Sequence, residues 1–289
     1  MAEEKDIPES AQDIGYDEFK SRVKAAKAVA RPKPAVGSTV RHVIGVISGK
    51  GGVGKTFTAS YLAVLLRRKG YRVAILDADV TGASIPTAFG LNDVKVWSDG
   101  ANIYPAVSLQ GIQLVSANLL LEHPGDPIIW RGPMESSLLM QFWTEVVFDC
   151  DVMIVDCPPG TSDIQLTVLQ QLPMDGLILA VTPQSLVSVI ASKAASMANM
   201  MDIPIIGAVM NMEYVTCPDC HRRIYPFGEV DLDRLRAMQI PVISEVPIDP
   251  QISEATDRGA IEKLEVNYLD NLADGVVKYL NLKDRNHEG

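Results

Sequence analysis

The sequence predicts an α/β fold: a doubly wound, mostly parallel sheet. Three observations carry that prediction. Six apolar runs of four to six residues recur along the chain, apolar at consecutive rather than alternating positions. Strands buried on both faces have that pattern. Longer helix-like stretches separate the runs, which gives the β-α-β-α order of right-handed crossovers. Finally, the motifs able to do chemistry follow the runs, where ligands of such sheets bind.

Residues 1–40 read as a flexible N-terminal tail. Met1–Glu18 carries seven acids and one lysine, and Lys20–Lys33 carries six bases and no acid. Tyr16–Ala30 has the spacing of a short amphipathic helix, which Pro32, Pro34 and Gly37 break. The body, residues 41–282, begins with the strand Val43–Ile47 and the helix Lys55–Lys69. A strand Val73–Leu76 follows, then a helix Met134–Phe148 and a strand Val152–Val155. Next come a helix Asp163–Leu172, a strand Leu177–Val181, a helix Leu186–Met201 and a strand Ile205–Met210. The series closes with a helix Leu232–Gln239, a strand Pro241–Val246 and a C-terminal helix within Leu264–Leu282, before a polar tail at 283–289.

Composition removes several classes of function. With 47% hydrophobic and 21% charged residues, the 289-residue chain is neither mostly disordered nor collagen-like. A net charge of −10 argues against a nucleic-acid binder. No stretch approaches a transmembrane span, and the acidic start MAEEKDIP lacks the apolar core of a signal peptide. Four cysteines without an export signal point to a reducing, cytoplasmic location rather than a disulfide framework.

Gly49-Lys50-Gly51-Gly52-Val53-Gly54-Lys55-Thr56 lies between the first strand and the first helix. It fits G-x-x-x-x-G-K-[ST] in the context that motif requires. Its glycines let backbone N–H groups turn towards phosphate oxygens, and the helix N-terminus favours the same anion. Lys55 is placed to reach the β- and γ-phosphates, and the Thr56 hydroxyl to ligate Mg²⁺. Asp77, Asp79 and Asp156 each follow a strand and can face this loop. Asp156 is expected to hold Mg²⁺ through water, and Asp77 to be structural. No N-K-x-D run signals guanine. Asn211, which ends the strand Ile205–Met210, offers both donors and acceptors for a base edge, and Pro247 and Asp249 follow the next strand.

Cys217-Pro218-Asp219-Cys220 has a metal or redox spacing and lies in a loop near 212–226. A thioredoxin-like pair needs a different fold, and c-type haem, suggested by His221, normally requires export. Two readings remain open: structural zinc, and an iron–sulfur cluster that takes two thiolates from each of two chains. Cys150 precedes a buried strand, and Cys157 lies beside the expected phosphates.

Lys50, a second lysine inside the loop, resembles the signature lysine of the deviant Walker A class of P-loop ATPases. That class includes division-site and plasmid-partitioning ATPases, nitrogenase iron protein and the Mrp/ApbC-like iron–sulfur cluster carriers. The resemblance to the carriers runs from about His42 to Gly259. It rests on Asp77-Ala78-Asp79, Trp130-Arg131-Gly132-Pro133-Met134, Asp156-Cys157-Pro158-Pro159-Gly160-Thr161-Ser162-Asp163, Val181-Thr182-Pro183-Gln184, Asn211-Met212 and, most specifically, Cys217-Pro218-Asp219-Cys220. The chain looks like the short form, with no cysteine before Cys150. It departs from the family pattern at Phe57 and Tyr61, where small hydroxyl or β-branched and Asn residues are usual.

The resemblance implies an ATP-dependent homodimer in which Lys50 acts across the interface, with Lys55 and Asp79 as catalytic residues. The residues from Gly49 to Phe57, with Asp156, Asn211, Pro247 and Asp249, would bind ATP, and Thr56 would hold Mg²⁺. Cys217 and Cys220 would hold a 4Fe-4S cluster bridging two subunits, for transfer between cluster scaffold proteins and apo iron–sulfur proteins. The loop and helix after Asp156 would carry the nucleotide signal to the cysteines. No membrane or nucleic-acid partner is expected. The alternative is a MinD/ParA-like positioning ATPase with structural zinc at the cysteine pair.

Overall fold

The computed structural model describes residues 31–80, 82, 84–120, 132–160, 163–186, 189–228 and 242–283. The amphipathic stretch 16–30, the helix expected at 232–239 and all but the first residue of the polar tail lie outside them.

Eight strands form one sheet in the order β12-β9-β8-β1-β7-β2-β6-β5. The central strand β1 spans Thr39–Ser48 and pairs in parallel with β7, Asp149–Asp156, and with β8, Gly176–Val181. On the β7 side lie β2, Val73–Asp77, and β6, Gln113–Val115, both parallel, then the antiparallel edge strand β5, Ala106–Val107. On the β8 side lie β9, Ile205–Met210, and β12, Val242–Glu245. Strands β2 and β8 are buried along their whole length, as their unbroken apolar runs require. From β1 the chain first crosses to β2, and from β7 it later crosses back over β1 to β8. The crevice therefore opens beyond the C-terminal end of β1.

Helix α1, Lys55–Arg68, leaves that crevice and is buried over nearly all its surface, including Phe57, Tyr61, Leu62 and Leu66. The other helices are α2 (Ile85–Ala88), α3 (Gly132–Glu145), α4 (Asp163–Gln171), α5 (Pro183–Leu186), α6 (Val189–Met200), α7 (Pro250–Asp257) and α8 (Asp270–Tyr279).

The structure differs from the sequence reading in several places. Packing begins before residue 41: Thr39 and Val40 already pair with Asp149 and Cys150. Upstream, the Ala35 N–H donates to the Trp143 carbonyl at 3.0 Å and Trp143 Nε1 donates to the Pro32 carbonyl at 2.9 Å. The C-terminal helix starts at Asp270 rather than near Leu264, because Leu264 and Val266 are held in an extended segment against α1. The short strands β3 (Trp97–Ser98) and β4 (Ile103–Tyr104), with β5 and β6, carry too few residues to show a period. Helix α7 is capped by Asp249, whose carboxylate accepts from the Gln251 N–H at 2.9 Å.

Candidate functional site

The loop from Gly49 to Gly54 joins β1 to α1 and bounds a cavity of about 470 Å³, lined also by Ser48, Lys55, Thr56, Asp79 and Pro159. Gly52 and Gly54 take φ of 74° and 85°, the left-handed region where a side chain is strained. Thr58 returns its N–H and its hydroxyl to the Gly54 carbonyl, at 3.0 and 2.9 Å, and so fastens the loop to the helix. Nothing in the motif marked Thr58 for that task. The Phe57 side chain turns into the core, stacked on Tyr61 at 5.7 Å, which leaves only its main chain for a phosphate. Lys50 is exposed at the mouth of the loop.

Beneath the loop the predicted acids converge. Lys55 Nζ donates to Asp156 Oδ1 at 2.6 Å and lies 3.3 Å from Asp79 Oδ2. The Thr56 hydroxyl donates to the other Asp156 oxygen at 2.8 Å. Burial disfavours the Lys55 charge, but the Asp156 and Asp79 carboxylates outweigh it and hold the ammonium above its ordinary pKa. Asp156 is pushed up by burial, against the pull of Lys55. Asp77 lies deeper and fully buried, accepting from the Ser116 hydroxyl at 2.9 Å and from the Asp79 N–H at 3.2 Å. Burial and then the Asp156 charge raise its pKa to about 8. The hard oxygens of Thr56 and Asp156, already side by side, suit Mg²⁺.

A second cavity, about 390 Å³, is lined by Asn211, Met212, Pro247, Ile248, Asp249 and Pro250. The three residues expected to border the base therefore share one cavity. Asn211 does more than line it, because its Nδ2 donates to the Val53 carbonyl at 3.0 Å and so touches the phosphate loop. Asp249 lends the cavity little side chain: one carboxylate oxygen caps α7 and the other accepts from the Tyr268 hydroxyl at 2.8 Å. Met212, part of the Asn211-Met212 pair that carries the resemblance, and Ile248 were assigned no role from the sequence.

The cysteine pair sits at the turn of a small hairpin, β10 (Val215–Thr216) with β11 (Arg223–Ile224). Cys220 is exposed and Cys217 partly so. The Cys217 N–H donates to the Arg222 carbonyl and the His221 N–H to the Cys217 carbonyl, each at 3.0 Å, with His221 at a φ of 57°. Backbone N–H groups of Cys220 and Asp219 aim at the Cys217 sulfur and hold its thiol below the ordinary range. A sulfur so served is set up as a thiolate ligand. Among the described residues no three His, Cys, Asp or Glu side chains converge on one point, so His221 completes no site with the pair. Cys150 and Cys157 are buried, and burial pushes both thiols up to about 12. Among the described residues no helix is long and apolar enough to cross a membrane.

Comparison with known proteins places these sites in a context. Residues 39–277 match the ParA family profile described as NUBPL iron-transfer P-loop NTPase. The chain is 40% identical over 233 residues to an iron-sulfur cluster carrier protein of Clostridium perfringens, covering 78% of this chain and 82% of that one. It is 35% identical over 226 residues to a cytosolic Fe-S cluster assembly factor NUBP2 homolog of Monosiga brevicollis, covering 76% and 80%. Among solved structures it is similar to a nucleotide-binding protein of Archaeoglobus fulgidus in complex with ADP, with a TM-score of 0.72, 32% identity and coverage of 89% and 97%. The cell division ATPase MinD of Pyrococcus furiosus shares the fold, with a TM-score of 0.57, 22% identity and coverage of 82% and 98%.

Proposed function

The chain belongs to the NUBPL iron-transfer P-loop NTPase family, and from that premise we propose that it is an ATP-dependent iron–sulfur cluster carrier working as a homodimer. The cluster is its cargo, taken from scaffold proteins and passed to apo iron–sulfur proteins. One observation carries the reading: an exposed hairpin offers two thiols and, among the described residues, no third ligand, in a chain that also has a phosphate loop. Two copies supply the four thiolates that a cubane cluster takes. Two relatives, an iron-sulfur cluster carrier protein and a cytosolic Fe-S cluster assembly factor NUBP2 homolog, point the same way.

In this reading the phosphate loop and Lys55 bind the β- and γ-phosphates, and Asn211 and Pro247 flank the adenine. Asp79 orients a water for attack on the γ-phosphorus; the bond to the bridging oxygen breaks, releasing ADP and phosphate. Thr56 and Asp156 would hold Mg²⁺, which when bound neutralises charge on the phosphates. For this to happen Lys55 has to leave Asp156 for the nucleotide, so binding itself rearranges the acid cluster. Lys50, exposed and clear of that cluster, is free to reach a nucleotide in the second copy. Binding and slow hydrolysis would switch the dimer between holding and releasing states.

The test is iron, zinc and acid-labile sulfide on anaerobically purified and reconstituted protein, beside a Cys217→Ala control. About four irons and four sulfides per dimer, lost in the control, support the carrier. About one zinc per dimer without sulfide overturns it. ATP dependence has its own test: Lys55→Ala should bind ATP poorly and slow cluster transfer, and unchanged transfer would exclude the coupling.

A further inference from the structure

The base cavity and the cysteine hairpin are two ends of one short stretch of chain. Asn211 closes β9 at the cavity wall, and Cys217 follows six residues later. Met212, at a φ of 56°, turns the chain out of the sheet between them. Two backbone hydrogen bonds then tie the stem of the hairpin to the opposite wall. The Glu213 N–H donates to the Val246 carbonyl at 3.1 Å, and the Ile248 N–H to the Tyr214 carbonyl at 2.7 Å. They bracket Pro247, which lines the cavity.

Arg223, on the returning strand β11, completes the frame. Its guanidinium lies 4.2 Å over the Tyr214 ring, and its Nη1 donates to Glu245 Oε2 at 2.9 Å. Tyr214 belongs to the stem, while Glu245 ends β12 two residues before Pro247. Arg223 therefore holds the hairpin to the strand that carries the cavity wall.

We propose that Arg223 is a positioning residue through which nucleotide in the base cavity sets the position of Cys217 and Cys220. The proposal rests on the reading of Asn211 and Pro247 as walls of the base site. Strands β10 and β11 have two residues each, too few to hold a position without outside support. A nucleotide entering between Asn211 and Pro247 presses on both walls. The two backbone bonds and the Arg223 clamp carry that displacement to the hairpin instead of letting it dissipate. This route lies on the base side of the nucleotide; the loop after Asp156 includes residues 161 and 162, outside the described residues. Coupling is reciprocal, so occupation of the thiols has to alter nucleotide affinity by the same factor.

The experiment uses the full chain, reduced and free of metal. Alkylation rates of Cys217 and Cys220 with iodoacetamide are followed by mass spectrometry without and with saturating Mg-ADP, which is not hydrolysed. ADP affinity is measured by calorimetry on the same samples. The wild type is expected to change its alkylation rate at least threefold with ADP. Arg223→Ala should bind ADP within threefold of wild type while losing most of the alkylation response to ADP. Arg223→Lys, which keeps the charge facing Glu245, should recover part of the response. An undiminished response in Arg223→Ala overturns the proposal, as does wild-type alkylation indifferent to bound ADP. Loss of ADP binding in Arg223→Ala would make the residue a prop of the cavity and equally overturn it. A wild type that binds no ADP removes the base-site reading itself, and the inference with it.

Discussion

Asn211 occupies the space that a side chain on Gly54 would need. A Cβ built on Gly54 would stand 1.9 Å from Asn211 Nδ2, the same atom that donates to the Val53 carbonyl. This wall residue of the second cavity thus also fixes the last turn of the phosphate loop.

Gly54→Ala should therefore lose nucleotide binding. The left-handed backbone alone costs about 1–3 kcal/mol for a residue with a side chain, and Asn211 is displaced in addition. Calorimetry should show ADP affinity down at least tenfold with far-UV circular dichroism unchanged. Asn211→Ala leaves the Val53 carbonyl unpaired, at about 1–3 kcal/mol. The double variant should lose less than the sum of the single ones, because its clash is relieved.

Only two of the four cysteines should react in the native protein. Cys217 and Cys220 are accessible, and the lowered pKa of Cys217 makes it the faster at pH 7. Cys150 and Cys157 are buried with thiols near pKa 12, and should react only after unfolding. Peptide mapping after brief iodoacetamide treatment reads this directly; modification of Cys157 in folded protein would contradict it.

Asp77 should make the apoprotein less stable as pH rises. Its pKa goes from 3.8 to about 8 on folding, so between those values the folded chain holds a proton that the unfolded chain has lost. The stability it confers is full below about pH 4 and declines as pH climbs towards 8. Asp77→Asn removes that decline. Urea denaturation at pH 5 to 8 should show the variant gaining on the wild type with each step upward.

Tyr61→Phe should weaken the fold and spare the nucleotide site. The hydroxyl donates towards the Val266 and Leu264 carbonyls, at 2.6 and 3.2 Å, and accepts from the Val266 N–H at 3.1 Å. Its loss leaves these groups short of a partner, at about 1–3 kcal/mol. A drop in the urea midpoint with ADP affinity held within twofold is the expected result.

The parts of the fold legible in the sequence were those written locally. The strands holding Val43–Ile47, Val152–Val155 and Leu177–Val181 are buried on both faces, so no polar residue interrupts them. The phosphate loop was legible because its glycines and Lys55 must be neighbours in the chain. The hairpin of Val215–Thr216 with Arg223–Ile224 was not, because two-residue strands have no period to read. Tyr61 stood out as a departure from the family pattern, but its partners are 203 and 205 residues away.

By itself the sequence determined the parallel α/β class, the phosphate loop and the spacing of the cysteine pair. Each depends on side chains a few residues apart and on the geometry of one strand or turn. Only the tertiary structure decided that Lys55 lies between Asp156 and Asp79, that Asp77 is fully buried against Ser116, and that Asn211 braces the loop at Gly54. It alone brought Arg223 from the cysteine hairpin onto Tyr214 and Glu245. Those relations depend on burial and on distances between remote segments, which exist only once the strands have chosen their neighbours.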